Sequence, residues 1–383
     1  MSRNVPKLRF KGFEDEWIKY KADDLFINIS DKKHNGELNV LSVTQDKGVL
    51  LREELEIDIK FDIESVKNYK RVKAGDFIIS LRSFQGGFEI SNQEGLISPA
   101  YTVFNFKDSE KFNSKYFSYI FKSSRFIKKL AGLIYGVRDG KAISFTDFKT
   151  MTFFCPSLQE QEKIANFLSK VDSIIEKQEK KVQYWNSYKK GMMQKIFSQK
   201  IRFKDENGRD YPEWEEKKLG EITNILKGQQ LNKENFISGG KYYVLNGGVN
   251  PSGYTNEYNV EGESISISEG GNSCGFVNYN KEKFWSGGHC YTLKLKGDEI
   301  HNVYLFEVLK YKEIYIMSLR IGTGLPNIQK LTLSKFKIDI PCLEEQIKIA
   351  NFLSNIDNII EKESKKLEEL KQWKKGLLQQ MFV

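Results

Sequence analysis

Residues able to do covalent or metal chemistry are sparse in this chain. It holds three histidines, His34, His289 and His301, and four cysteines, Cys155, Cys274, Cys290 and Cys342. His289 and Cys290 are adjacent, and Cys274 is near them in sequence, which offers two or three ligands at most. Zinc takes four closely spaced ligands, or three and a water. A buried structural cysteine beside an ordinary histidine is therefore the expectation, and no metal is expected. The cysteines form no CxxC pair and are too few for a disulfide scaffold, which fits a reducing compartment. No glycine pair leads into a phosphate-binding Gly-Lys-Ser/Thr; Gly239-Gly240-Lys241-Tyr242 is the nearest and fails. There is no GxSxG nucleophile elbow, Gly271-Asn272-Ser273-Cys274-Gly275 matching the spelling only within a glycine-rich run, and HExxH is absent. So is Pro-Pro, which amino-methyltransferases use to grip a flipped base. Glu361-Lys362-Glu363 falls on a helical rod, where it reads as solvated surface. The residue types point to a binder and to no catalytic residues.

The chemistry that remains is hydrogen bonding to base edges and phosphates. Base reading needs Arg, Lys, Asn, Gln, Ser or Thr held on ordered loops. Such residues cluster in glycine-rich segments at matching places in two halves of the chain. In the first half they are Thr44, Gln45, Lys47, Arg82, Ser83, Gln85, Arg138 and Lys141. In the second they are Gln229, Gln230, Asn246, Asn272, Ser273, Arg320 and Thr323. Residues 111–141 carry eight basic side chains and one acid, Asp139, interleaved with aromatics from Phe112 to Tyr135. An aromatic core face with a basic solvent face on one amphipathic helix accounts for that pattern, and the basic face could meet phosphates. The corresponding region of the second half, 301–330, has only Lys310, Lys312, Arg320 and Lys330 against Glu307 and Glu313, so the two halves would grip DNA with unequal electrostatic strength.

The elements that must position these loops are announced by a tandem repeat, which has to be sought before any fold is assigned. Residues 156–197 and 341–382 align without a gap at an offset of 185, with 23 of 42 positions identical. A fainter repeat precedes each copy: Lys7-Leu8-Arg9-Phe10 with Trp17, and Lys200-Ile201-Arg202-Phe203 with Trp214. Within the strong repeat, apolar residues follow a heptad seam from Ile164 and Leu168 to Met192 and Ile196. In the second copy it runs from Ile349 and Leu353 to Leu377 and Met381. Polar interruptions fall on the same rungs, Gln178 with Glu363 and Lys189 with Lys374. A seam of about five heptads predicts a coiled coil. Pro156 and Pro341 sit where a proline precedes a helix. About 40 residues at a 1.5 Å rise make each helix roughly 60 Å long. A pseudo-twofold arrangement of the two halves runs the helices antiparallel.

Between the helices, short strand-like runs at 76–80, 101–106, 264–268 and 291–296 are punctuated by glycine and asparagine clusters. Segments 112–131 and 301–319 read as helical. Each half is thus a mixed α+β domain. The 383 residues suit two or three domains, and 39 % hydrophobic content supplies real cores. The net charge of +9 excludes a strongly acidic DNA mimic and weakly favours a polyanionic partner. No apolar signal region follows Met1, and no run approaches the ~20 apolar residues of a membrane helix. A cytoplasmic location and no membrane partner are expected.

Proline, then EQ-x-KIANFLS-x-x-D, then KKG-x-x-Q-x-x-F, twice over and after two dissimilar domains, resembles the specificity subunit of a type I restriction–modification system. The resemblance covers the whole chain. It implies target-recognition domains over 1–155 and 199–340, separated by long conserved helices over 156–198 and 341–383. The helices would form an antiparallel coiled coil within a pseudo-twofold tandem repeat. It further implies that each domain reads one half of an asymmetric bipartite sequence in double-stranded DNA, and that the coiled coil fixes the spacer. Two modification subunits would bring S-adenosylmethionine for adenine methylation. Two restriction subunits would bring ATP and Mg for translocation and cleavage. No cofactor is then expected on this chain. Lys190, Gly191, Lys375 and Gly376 are identical in the two copies at positions the seam does not need, and are expected to contact a partner subunit.

Overall fold

The computed structural model describes residues 4–44, 48–55, 66–80, 87–133, 143–322 and 324–383. The chain divides into two compact units. The first comprises residues 1–179 and 365–383, and the second residues 180–364.

The first unit opens with β1 (Ile18–Lys21), the single turn α1 (Ala22–Leu25) and β2 (Phe26–Ile29). There follow β3 (Leu41–Thr44), β4 (Gly48–Leu51), β5 (Lys70–Val72), β6 (Phe77–Ile79), β7 (Phe88–Ile90), β8 (Gly95–Ile97) and β9 (Thr102–Phe106). Helices α2 (Ser114–Lys122), α3 (Ser124–Leu133) and α4 (Phe145–Lys149) lead to β10 (Thr152–Cys155) and the 40-residue helix α5 (Leu158–Phe197). The main sheet has the order β2-β9-β6-β7, with β3-β4, β5-β8 and β1-β10 as flanking antiparallel pairs. The expected helix at 112–131 is two helices. Ser123 turns extended (φ −70°, ψ 141°) between them, and its hydroxyl donates to the Ile120 carbonyl at 2.7 Å. A serine hydroxyl that bonds the preceding turn competes with helix continuation.

The second unit repeats the plan with β11 (Glu215–Lys218), α6 (Leu219–Ile222), β12 (Thr223–Lys227), β13 (Tyr242–Leu245), β14 (Gly253–Thr255) and β15 (Ser264–Ser268). It continues through β16 (Val277–Asn280), β17 (Trp285–Ser286), β18 (Cys290–Leu295), α7 (Asn302–Tyr311), α8 (Glu313–Ser318), α9 (Lys330–Ser334) and β19 (Lys337–Ile340) to α10 (Leu343–Gln380). Its main sheet has the order β12-β18-β15-β16. A smaller sheet, β14-β13-β17, contains a parallel pair, Val244 with Trp285 and Leu245 with Ser286.

Both long helices contribute to both units, and within each unit they run antiparallel. In the first, Asp172 pairs with Lys374 and Glu179 with Lys371. In the second, Lys181 pairs with Glu363 and Lys189 with Asp357. In each case the number rises along α5 as it falls along α10. Every heptad seam position of both copies is buried or half-buried. The seam does not close one common core. Leu168, Val171 and Ile175 join the first unit's core with Leu377 and Met381. Ile196 joins the second unit's core with Ile349, Leu353 and Ile356.

The EQ of each repeat docks the domain of its own unit. Glu160, 1 % exposed, accepts from both Arg9 Nε and Nη2 at 2.8 Å. Glu345, fully buried, accepts from Arg202 Nη2 at 2.8 Å and Trp214 Nε1 at 3.1 Å. The arginine of the faint lead-in repeat thus neutralises a buried helix glutamate, without which that charge would be costly. Next to it, Gln161 bonds the Asn113 amide and the Pro156 carbonyl, and Gln346 bonds the His301 amide and the Pro341 carbonyl.

Candidate nucleic-acid interface

In the second unit five loops meet at one end of the main sheet. They are 228–230 after β12, 246–248 after β13, 269–276 between β15 and β16, 287–289 before β18, and the described residues 319–322 and 324–329 between α8 and α9. Strand register gathers them: Lys227 lies opposite Tyr291 and Ser268 opposite Cys290. Backbone hydrogen bonds then link the loops. Gly228 N donates to Cys290 O, Gln229 N to Ser286 O, Gly287 N to Leu245 O, Glu269 N to His289 O, and Ile328 N to Glu269 O, all at 2.8–2.9 Å. Ile321 and Asn327 exchange amide–carbonyl bonds at 2.8 and 3.0 Å, which makes the last loop a pinned hairpin. Glycine is required for this packing. A Cβ on Gly228 would overlap the carbonyl oxygens of Ser286 and Gly287, and Gly247 has a φ of +78°.

Six of the seven expected residues of this half lie on this rim. Gln229, Gln230, Asn272 and Arg320 are exposed, and Asn246 and Ser273 are half-buried. Asn246 is partly committed to the scaffold, because its Oδ1 accepts from His289 N at 3.2 Å. Thr323 lies outside the described residues. Sequence reasoning missed two members of the rim. Glu269 accepts from Lys227 Nζ at 2.6 Å and from the Tyr291 hydroxyl at 3.1 Å, and His289 Nδ1 lies 3.5 Å from it. These groups are spread from 227 to 291 in the chain, so no spacing signals them; only strand register brings them together. Cys274 and Cys290 are both buried, and the Cys274 thiol donates to the Glu269 carbonyl at 2.9 Å. Burial pushes both thiols up from their ordinary pKa. Among the described residues, no group of three or more His, Cys, Asp and Glu could hold a metal ion.

In the first unit Thr44 ends β3 and donates its hydroxyl to the Gly48 carbonyl at 3.1 Å. Gln45, Lys47, Arg82, Ser83, Gln85, Arg138 and Lys141 lie outside the described residues. The basic, aromatic stretch separates as expected over its described part. Tyr116, Phe117, Tyr119, Phe121 and Phe126 are buried, while Lys115, Arg125, Lys128 and Lys129 are exposed. Partial burial, and after it the positive charges of Arg125 and Lys19, pushes the Lys129 ammonium down from its ordinary pKa. Lys111 and Lys122 are neutralised internally, by Asp108 at 2.8 Å and by Glu89.

On the helices, Lys190 and Lys375 are exposed. Gly191 and Gly376 are half-buried, yet a Cβ on either would meet nothing within 4 Å. Among the described residues no helix is long and apolar enough to cross a membrane.

Two α+β units, each docked on paired repeat helices and one carrying a polar rim on glycine-built loops, define a tandem recognition module. The chain belongs to the family of the type I restriction modification DNA specificity domain, whose model matches residues 14–183 and again 211–372. It is 33 % identical over 255 residues to a Methanocaldococcus jannaschii protein provisionally named as the MjaX type I restriction enzyme specificity subunit. That match covers 62 % of this chain and 60 % of the relative. The MjaVIII type I restriction enzyme specificity subunit of the same organism is 29 % identical over 259 residues, covering 60 % of this chain and 61 % of its own. The chain therefore matches about 60 % of the length of these curated relatives. The crystal structure of the S subunit of a type I restriction–modification system from M. genitalium has a similar fold. Its TM-score is 0.66 at 20 % identity, over 99 % of both chains.

Proposed function

We propose that this chain is the DNA-reading, non-catalytic specificity subunit of a type I restriction–modification complex. Each unit reads one half of an asymmetric bipartite target in double-stranded DNA, and the helix pair sets the spacer, about one turn (~34 Å) between half-sites. The observation that supports this most is the family match occurring twice, each time over an α+β domain and most of its repeat helix. In the second unit Gln229, Gln230, Asn246, Asn272, Ser273 and Arg320 supply donors and acceptors suited to base edges in the major groove. In the first, Lys115, Arg125, Lys128 and Lys129 supply phosphate contacts. Adenine methylation and ATP-dependent cleavage belong to two modification and two restriction subunits, which carry S-adenosylmethionine, ATP and Mg. Lys190, Gly191, Lys375 and Gly376 contact such a partner, and the complex works in the cytoplasm. Methylation mapping in cells that express this chain with a cognate modification subunit tests the reading. A new bipartite adenine-methylated motif with a fixed spacer is expected. An assembled complex that methylates no motif would overturn it.

A further inference from the structure

A basic groove of about 470 Å³ lies along the β12 edge of the second unit's main sheet, away from the rim. Three lysines, Lys294, Lys296 and Lys330, line it with Asn224 and Ser334, and no carboxylate does. Strand alternation creates the surface. Thr223 and Ile225 point inward along β12, while Asn224 and Leu226 are exposed. Asn224 sits opposite Lys294 in the register with β18. Gly220 brings the far wall close, since a Cβ there would come within 2.8 Å of Ser334 Cβ on α9. Lys296 Nζ is tied to the Gly220 carbonyl at 2.5 Å. Among the described residues Lys294 and Lys330 have no carboxylate within ion-pair distance, whereas Lys227, Lys281, Lys283 and Lys312 of the same unit do. Here net charge understates local charge. Residues 198–342 sum to only +1, yet three lysines share this edge with no carboxylate among the groove's lining residues.

We infer that this groove is where the second unit holds the DNA backbone: Lys294 and Lys330 neutralise phosphates flanking the half-site read by the rim, and the Asn224 amide donates to a non-bridging oxygen. The inference rests on the function proposed above. Its geometry follows from strand rise. Lys294 lies four residues along β18 from Cys290 at the rim, about 14 Å at ~3.4 Å per residue. Side chains that enter a major groove ~8.5 Å deep leave the bordering phosphates set back by about that distance, and the remaining few ångströms to Lys294 are spanned by its long side chain.

The test uses the chain assembled with its modification subunits on a duplex carrying the mapped motif, with affinity measured between about 50 and 200 mM salt. Each phosphate neutralised contributes about 0.9 to the slope of log affinity against log salt. The Lys294→Gln/Lys330→Gln variant should lose close to two from that slope and keep the methylated motif unchanged. Lys281→Gln, beyond the opposite edge strand β16, should leave the slope as it is. Wild-type binding with an unchanged slope in the double variant, or a motif altered at a base, overturns this inference alone. A wild-type complex that binds no DNA overturns the proposed function and this inference with it.

Discussion

Arg9 grips Glu160 in the first unit, and Arg202 grips Glu345 in the second, with the two glutamates 185 residues apart. Phe10 packs edge-on against Phe167 at 5.6 Å, and Phe203 against Phe352 at 5.7 Å. Behind these matched contacts the cores diverge. The first is an aromatic cluster in which Phe26 alone lies within 6.2 Å of seven other phenylalanine rings. The second is largely aliphatic, with Ile265, Ile267, Leu293, Leu305, Val308 and Leu309 at its centre. Interiors tolerate such exchange if volume and pattern are kept, whereas a buried charge needs its one partner. The difference teaches where repeat identity is required: at the joint between a domain and its helix, and not within the domain.

One joint position breaks the symmetry. Six residues after each N-cap bound by the repeat glutamine stands Tyr119 in the first unit and Glu307 in the second. Tyr119 donates its hydroxyl to Asp172 at 2.7 Å, and Lys374 pairs with the same carboxylate. In the second unit Glu307 and Asp357 flank Lys189, at 3.0 and 2.7 Å. Glu307 is 1 % exposed, and its Oε2 has no hydrogen-bond partner.

The largest expected effect comes from breaking the matched joint. Arg9→Ala or Arg202→Ala leaves a buried carboxylate unpaired, which costs about 3–5 kcal/mol. Arg9→Ala should cost more, because Glu345 keeps the Trp214 indole donor, whereas Trp17 Nε1 makes no such bond. Urea unfolding of the two variants measures the order. Equal losses would mean that the Trp214 bond contributes nothing.

The Glu307 position should give the next largest effect, and only in the second unit. Burial pushes its carboxyl up to about 7 from 4.5, against the pull of Lys189 and with Asp357 reinforcing the rise. The folded state then retains a proton that the unfolded chain releases. This contribution to stability is complete below about pH 4.5 and is lost as pH rises to about 7. Glu307→Gln should flatten that part of the stability–pH curve, as measured by urea unfolding at several pH values. A curve parallel to wild type would show that Glu307 is not the group that titrates.

A smaller effect falls on recognition alone. Asn272→Ala and Arg320→Ala should weaken discrimination at single positions of one half-motif by about 1–3 kcal/mol each, leaving the other half unchanged. Methylation mapping of each variant reads this directly. A change in both halves would undo the assignment of one half-site to one unit.

How much of this was legible in the sequence follows the same division. The helix seam and the antiparallel pairing were readable because heptad spacing and a gap-free repeat carry them locally. The rim of the second unit was readable in part. Gly228, Gly247 and Gly287 mark where backbones touch, and the polar residues beside them came to one place. Glu269 and His289 were not readable, because strand pairing and not spacing unites them with Lys227. The roles of Glu160 and Gln161 were equally hidden. Arg9 and the Asn113 amide, which bind them, lie 151 and 48 residues away in the chain, so no local spacing signals the contacts. The division of 112–131 at Ser123 was missed because apolar periodicity continues across the break.

The smallest effect tests the proposed partner contact and sharpens the comparison most. Gly191 and Gly376 lie inside long helices, where glycine costs about 0.5–1 kcal/mol relative to alanine. A Cβ at either would meet nothing within 4 Å, so packing within this chain does not require glycine there. Gly191→Ala and Gly376→Ala should each stabilise the isolated chain by up to that amount in thermal or urea unfolding. If a modification subunit approaches the bare Cα, the same substitutions should weaken assembly, and Lys190→Glu or Lys375→Glu should do so as well. Each single variant should cost one of the two partner sites and the double variant both, read as stoichiometry by analytical ultracentrifugation. Stabilised variants that still assemble with two partners would leave the glycines as tolerated defects and remove these four residues from the partner surface.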